Sequence, residues 1–369
     1  MKFEQKYPDA SPSDRFEFEY SFVTKTPTLG NCTLCDAFTK WIDVVFQVPV
    51  CSEECGGAMW AKYREDKEAP YNFDEHFDAV KEELKIAEEC PAELSKDIII
   101  VVRDQLPYLK ECIESIRQHT KNFHLYIWDN ASGPETVAYI EGLMRERRDN
   151  PDLDWDVSTM RYNQNVGFIR PNNELVGWGE SEYIILLNSD CKVFEYWDRA
   201  LIGFLRKNRD VWQTGCWGGH MGSDGRGFGG DYGYEIDYIP GWCFCISRDL
   251  FRRKILPRER CVVDGIEQGG VSFLSLQQEG LFDPRLKFAY CEDADLSLRL
   301  KEAGGKIYAL HAPIVHHYQN KTIKVVKEEG EVDVKSSFAD NHEYMRVRWK
   351  DYLETGRVLL SKDTPNGQV

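Results

Sequence analysis

The chain has no apolar run long enough to cross a bilayer, which excludes a helical membrane span. Its first residues, Met1-Lys2-Phe3-Glu4-Gln5-Lys6, lack the charged-then-apolar layout of a secretory signal. An intracellular, cytoplasmic location without membrane insertion is the expectation. Basic charge is also short. There are 46 Lys and Arg against 62 Asp and Glu, a formal net charge of −16. That balance argues against a generally basic nucleic-acid binder. The deficit is uneven, because residues 1–96 hold 20 acidic and 11 basic side chains. A reducing compartment also disfavours disulfides, so the 12 cysteines read as free thiols or metal ligands.

What is present is a globular composition. Apolar residues make up 42% of 369 residues, with 10 Trp, 18 Tyr and 19 Phe. That length accommodates one large domain and a small one. From Asp97 the pattern alternates between short apolar runs and amphipathic stretches. Strands are predicted at Ile98–Val102, Phe123–Trp128, Trp155–Arg161 and Tyr183–Asn188. Helices are predicted at Pro107–Gln118, Pro134–Arg147 and Asn172–Trp178. Such alternation means an α/β fold with a mostly parallel central sheet covered by helices.

The run Tyr183–Leu187 has no polar face and reads as a strand buried on both sides. It stops at Asn188-Ser189-Asp190. Ligands of open α/β sheets bind beyond the carboxyl ends of the strands, so Asp190 stands where a site is expected. Its carboxylate suits a divalent cation that itself holds phosphates. A plain turn or helix cap is the competing reading of the same three residues.

Cys32-Thr33-Leu34-Cys35 and, 15 residues later, Cys51-Ser52-Glu53-Glu54-Cys55 form two close thiolate pairs. Two such pairs satisfy tetrahedral zinc and leave no open position, so the metal would be structural Zn(II). Two pairs of free thiols are the alternative. The arrangement resembles a treble-clef or zinc-ribbon knuckle.

The ordered motifs resemble family 2 glycosyltransferases. They begin with Ile98–Val102 and Tyr108–Ile116, then Asp129-Asn130-Ala131-Ser132. Asn165-Val166-Gly167-Phe168, Asn172-Asn173 and Leu186–Asp190 follow. The set closes with Phe282-Asp283, Glu292-Asp293-Ala294-Asp295, Ala303–Tyr308 and His316-His317. Together they cover about residues 97–320. The resemblance implies a GT-A fold and an inverting, metal-dependent transfer of a sugar from a nucleotide-sugar to an acceptor hydroxyl. A UDP-sugar is the first expectation and a dTDP-sugar the next, with Mn(II) or Mg(II) as the metal.

The resemblance also implies roles. Val102, Asp104, Asp129, Asn130, Asn165, Gly167, Arg170, Asn188 and Ser189 would line the nucleotide-sugar side. Asp190 would hold the metal, with His316 or His317 as a late ligand. Asn188 stands where the family usually has the first Asp of Asp-x-Asp, which leaves one carboxylate fewer. Asp293 is the candidate general base, with Glu292 and Asp295 orienting it or the acceptor. Acidic residues merely stabilising a helix N-terminus are the bland reading of that cluster. Nucleotidyl transfer needs a glycine-rich phosphate loop, and Val102-Arg103-Asp104-Gln105 has no glycine. A catalytically inactive binding module is the reading from another class.

On the acceptor side, Trp242 would stack on a sugar or base, or pack in the core. Arg248, Arg252, Arg253, Lys254, Arg258 and Arg260 form either a solvated helix face or a patch for an anionic acceptor. A family 2 domain behind a four-cysteine knuckle is similar to phage-encoded transferases. The acceptor expectation is therefore a hydroxymethylated base in DNA, with a cell-surface or lipid-linked glycan as the alternative. The glycine-rich stretch Trp217–Tyr234 reads as a mobile loop or lid. The expected organisation is an arm over 1–30, the knuckle over 31–60 and a helical connector over 61–96. The catalytic-type domain follows over 97–320, then a mobile loop and C-terminal helix over 321–369.

Overall fold

The structure is a computed structural model. It describes residues 16–18, 21–31, 38–43, 48–49, 73–251, 261–263, 266–268, 281–318 and 334–355. Strands β1 (Phe16–Phe18), β2 (Ser21–Asn31), β3 (Phe38–Asp43) and β4 (Val48–Pro49) form a four-stranded antiparallel sheet in that order. The expected arm over 1–30 is thus partly sheet, and β2 runs through its boundary to pair Asn31 with Phe38. Cys32, Cys35, Cys51 and Cys55 lie outside the described residues.

Helix α1 (Phe73–Glu89) leads into β5 (Lys96–Val102), α2 (Leu106–His119), β6 (Phe123–Asn130), α3 (Pro134–Asp149) and β7 (Trp155–Tyr162). Then come α4 (Ile169–Val176), β8 (Tyr183–Leu187), β9 (Cys191–Val193), α5 (Trp197–Lys207) and β10 (Val211–Gly215). After these lie β11 (Gly218–Met221), β12 (Gly227–Asp231), β13 (Cys243–Ser247), β14 (Cys261–Val263) and β15 (Ile266–Gln268). The chain continues with α6 (Glu292–Glu302), β16 (Lys306–Ala309), β17 (Val315–His317), α7 (Val334–Arg348) and α8 (Lys350–Thr355). Among the described residues no helix is long and apolar enough to cross a membrane.

Seven strands form the central sheet in the order β16-β10-β13-β8-β5-β6-β7. Only β13 runs antiparallel to its neighbours. β5, β6 and β7 step towards one edge, and the chain then returns to lay β8 on the other side of β5. That reversal opens a crevice at the carboxyl ends of β5 and β8. Side chains alternate across the sheet. Ile98, Ile100 and Val102 enter the core on one face, whereas Ile99 and Val101 belong to the other.

Three expectations change. Helix α1 is part of the core and no mere connector: Val80, Ile86 and Ala87 are buried. Its buried Glu83 accepts from Tyr308 Oη at 3.0 Å and from the Ala312 N–H at 2.8 Å. Helix α4 starts at Ile169, earlier than predicted, because Gly167 turns the chain at a φ of +82° and Pro171 is tolerated in a first turn. The stretch expected to be a mobile lid is the β11–β12 hairpin. A Cβ at Gly230 would come within 1.9 Å of the Trp217 ring, and one at Gly227 within 2.3 Å of Tyr238 Oη. Glycine there lets aromatic groups seat on the hairpin.

Candidate active site

Asp190 lies just past the end of β8, after Asn188 and Ser189, and β9 then pairs antiparallel with β17 in a register that sets His317 opposite Cys191. This pairing brings His317 Nε2 to 3.1 Å from Asp190 Oδ1. Asn188 Nδ2 lies 3.5 Å from the same ring nitrogen. The Trp242 ring stacks on the His317 ring, with centroids 5.1 Å apart and planes 13° from parallel. His316 and His317 point to opposite sides of β17, as strand neighbours must. His316 is buried and meets the edge of Tyr318 at 4.6 Å. Of the two histidines the sequence left open, geometry thus favours His317.

Asp190, Cys191 and His317 bring ligand atoms within 4.8 Å of one another. Cys191 Sγ donates to the Trp242 carbonyl at 3.6 Å, and burial pushes its thiol well up, so it stays a thiol. A carboxylate oxygen and an imidazole nitrogen remain as donors; the oxygen suits either expected ion and the nitrogen a transition ion, so of the two the pair fits Mn(II) better than Mg(II).

Asp293 sits in the first turn of α6. Its Oδ2 accepts the Gly241 N–H at 2.8 Å and its Oδ1 the Ala294 N–H at 2.8 Å. Burial pushes its carboxyl up, and those backbone donors oppose the push. Glu292 is buried beside it, and burial together with the Asp293 charge holds the Glu292 carboxyl well above the usual range. Among the described residues Glu292 Oε2 has no hydrogen-bond partner. Both carboxyls are thus pushed up, Glu292 the more strongly.

Asp295 does not join them. It is fully buried and accepts from Arg299 Nε at 2.8 Å and Trp349 Nε1 at 3.1 Å, with Arg348 Nε at 3.2 Å. It faces away from Asp293 because helix positions two apart do not share a face. Its work is to fasten α6 to the C-terminal helices.

A cavity of about 250 Å³ joins the two clusters. Asn130, Asn165, Gly167, Asn188, Ser189, Asp190, Trp242, Glu292, Asp293 and His317 all line it. Val102, Asp104, Asp129, Arg170 and Asp295 do not. Val102 points into the opposite face of the sheet, and Val101 lines the cavity instead. Asp104 accepts the Gly133 N–H at 2.7 Å, and Asp129 accepts the Ser132 N–H at 2.8 Å and Arg161 Nη1 at 2.8 Å. Both carboxylates brace the turn after β6. Arg170 is exposed and pairs with Glu174 at 2.7 Å. Asn130 binds the next loop, donating to Asn165 Oδ1 at 2.7 Å and to the Gly167 carbonyl at 2.9 Å.

Sequence reasoning missed Arg103, Phe168, Pro240, Gly241 and the roof formed by Phe288, Ala289 and Tyr290. Arg103 carried a signal, a cation directly after an apolar strand. The roof carried none, since its shape depends on contacts distant in sequence. Phe288, Tyr290 and Cys291 hold φ values of 56°, 77° and 73°. Left-handed backbone in non-glycine residues costs about 1–3 kcal/mol each and clusters at functional sites. Gly167 fits under this roof, where a Cβ would lie 2.5 Å from the Phe288 carbonyl oxygen.

The basic run is altered too. Arg248 is no part of a surface patch, since it donates to the Val176 carbonyl at 2.7 Å and pairs with buried Asp97 at 2.5 Å. Arg252 and Arg253 lie outside the described residues.

Switch point, metal-type pair and buried carboxylate agree with one comparison. Residues 97–238 match the Glycosyl transferase family 2 model. The matched segment runs from β5 to the residue before Ile239 and so includes Asp190, while Asp293 and His317 lie beyond it. No curated protein matches the chain. Among solved structures, GalNAc-T7 with UDP, GalNAc and Mn2+ is similar at a TM-score of 0.45 and 16% identity, over 72% of this chain and 50% of that one. The chain thus spans half the length of that protein. The mannosyltransferase PcManGT from Pyrobaculum calidifontis, in complex with GDP-Man and Mn2+, is similar at a TM-score of 0.45 and 12% identity, over 80% of this chain and 85% of that one. S. aureus TarS 1-349 is similar at 0.39 and 16% identity, over 71% and 74%.

Proposed function

We propose that the protein is a metal-dependent, inverting glycosyltransferase that moves a sugar from a nucleotide-sugar, a UDP-sugar first, to an acceptor hydroxyl. The observation that carries this reading is one cavity lined by the Asp190–His317 pair and the Asp293 carboxylate. The family match over residues 97–238 supports it. A divalent ion held by Asp190 and His317 would neutralise charge on the leaving diphosphate.

The chain's own groups account for the rest. The acceptor oxygen attacks the anomeric carbon as its bond to the diphosphate oxygen breaks. The leaving group takes the bonding electrons, and the acceptor proton passes to Asp293. Two backbone N–H groups keep Asp293 aimed into the cavity. Trp242, flat on His317, offers a ring face to a sugar or base.

For the acceptor we carry forward the hydroxymethylated base in DNA. That reading rests on the Cys32, Cys35, Cys51, Cys55 pattern, taken as a structural zinc site, and on the cations at 252–260. A cell-surface or lipid-linked glycan is the competing outcome. The test is release of nucleoside diphosphate from a panel of nucleotide-sugars with Mn(II), with and without 5-hydroxymethylcytosine DNA, for wild type and Asp293→Asn. DNA-dependent release that the variant loses supports both reaction and acceptor. Release unaffected by DNA keeps the reaction and points to a glycan. No turnover and no donor binding sinks the proposal.

A further inference from the structure

The stretch from Leu281 to Cys291 has no regular secondary structure, yet it forms the cavity roof and delivers the chain into α6 and Asp293. Three of its residues hold left-handed backbone without glycine. Something must impose that path, because its local preferences oppose it. The one backbone bond reaching the roof from the nucleotide-side loop is the Phe168 N–H to the Phe288 carbonyl, at 2.6 Å. Asn173 of α4 donates to the Phe282 carbonyl at 2.8 Å and accepts its N–H at 2.6 Å, and Arg299 of α6 donates to the Leu281 carbonyl at 2.8 Å, so the start of the segment is held from there. The restraint on residues 287–290 comes from α7.

Asn341 is buried at the face of α7 that meets the roof. Its Oδ1 accepts the Lys287 N–H at 2.7 Å. Its Nδ2 donates to the carbonyls of Lys287 at 2.8 Å, Ala289 at 3.1 Å and Tyr290 at 2.9 Å. Two N–H groups serve three carbonyls, so one is shared. A single amide thus satisfies four backbone groups of the strained segment. Its neighbours act in the same sense: Phe338 meets the edge of the Tyr290 ring at 5.2 Å, and Tyr344 Oη donates to Asp283 at 2.7 Å.

We propose that Asn341 is a positioning residue of the candidate active site. Through it, α7 fixes the roof and the entry to α6, and so sets where the Asp293 carboxylate stands relative to Asp190 and His317. This rests on the sugar-transfer reading for its kinetic consequence, though not for its structural one. Small displacements of a reacting group cost rate steeply, so the effect falls on kcat. Asp190 and His317 are placed by the β9–β17 pairing, whereas the Asn341 amide bonds the backbone of Lys287, Ala289 and Tyr290.

The test compares full-length wild type with Asn341→Ala and Asn341→Asp. The aspartate keeps the Lys287 acceptor and loses the donations to the carbonyls. Two readouts are taken: amide hydrogen exchange, and kcat with Mn(II) affinity measured separately by calorimetry. The proposal expects faster exchange confined to about residues 286–292, kcat lower by about 100-fold, and unchanged Mn(II) affinity. Unchanged exchange at the roof with unchanged kcat overturns it. So does loss of turnover together with metal affinity and protection across the whole domain, which marks a general structural role. Should the Asn341 variants fail to fold, the surface variant Phe338→Ala removes one ring from Tyr290 and is read the same way. A kcat loss at unchanged Mn(II) affinity then supports the proposal, and no change overturns it. If wild type turns over no donor, the sugar-transfer reading fails, and the exchange comparison still decides the role of Asn341.

Discussion

His317 Nε2 stands 3.1 Å from Asp190 Oδ1, although 127 residues separate them in the chain. The pairing of β9 with β17 is what joins them. Substituting either partner to alanine should weaken Mn(II) binding by about 10–100-fold, read by titration calorimetry. His316→Ala should leave it unchanged, because that ring lies on the far side of β17 and packs on Tyr318. Equal losses from His316 and His317 would contradict the geometry.

Asp293 and Glu292 both bear on the pH dependence. Burial raises the Asp293 carboxyl, so as the proposed base it would be ionised only above the ordinary carboxylate range. Activity should therefore fall as pH drops through that raised value, giving a kcat/KM profile with a high acidic limb. Burial and the Asp293 charge push the Glu292 carboxyl well above the usual range, so Glu292→Gln should leave the limb in place. A limb that moves to lower pH in this variant would show an ionised Glu292. Asp293→Asn should cost about 10²–10⁴-fold in kcat, measured by diphosphate release.

Lys96 of β5 and Asp198 of α5 form a buried pair at 2.8 Å, and among the described residues Asp198 Oδ1 has no hydrogen-bond partner. Lys96→Ala strands a buried carboxylate and should destabilise by about 3–5 kcal/mol, measured by urea unfolding. The double variant Lys96→Met with Asp198→Leu should recover much of that loss, because no charge is then left without its partner.

Asp283 ties the roof segment to α7. Burial pushes its carboxyl up, but Arg285, Arg348 and Tyr344 outweigh burial and hold it well below the usual range. A depressed folded-state value means stability that is present above the ordinary carboxylate range and lost as pH falls through the folded value. Asp283→Asn should therefore cost about 3 kcal/mol near neutral pH. The gap to wild type should narrow below about pH 4, where an unfolded Asp takes up a proton. Thermal unfolding across pH checks both the size and the sign.

Much of the frame was legible in sequence because it depends on local pattern. Tyr183–Leu187 reads as a buried strand from its own composition and is one, with all five residues buried. The predicted starts and ends of the strands and helices from Asp97 to Leu187 lie within a few residues of those observed. Asp190 stood out because it follows a buried strand, whereas Asp293 and the histidine pair were singled out by the resemblance to a family. The Trp217–Tyr234 stretch was read as a loop and holds the β11–β12 hairpin, because glycine has two uses, freedom and close approach. Only the Trp217 and Tyr238 rings decide which applies.

What sequence alone determined is the alternation of strands and helices and the residue types on which a site can be built. Periodicity and chemistry are local properties, and they survive being read in one dimension. The tertiary structure decided which of those residues meet. It chose His317 over His316 through a strand's two-residue alternation. It turned Asp104, Asp129, Asp295 and Arg248 into braces by giving each a partner elsewhere in the fold. It also set Asn341 against a roof that lies 54 residues before it, since only packing can impose a path that the local backbone resists.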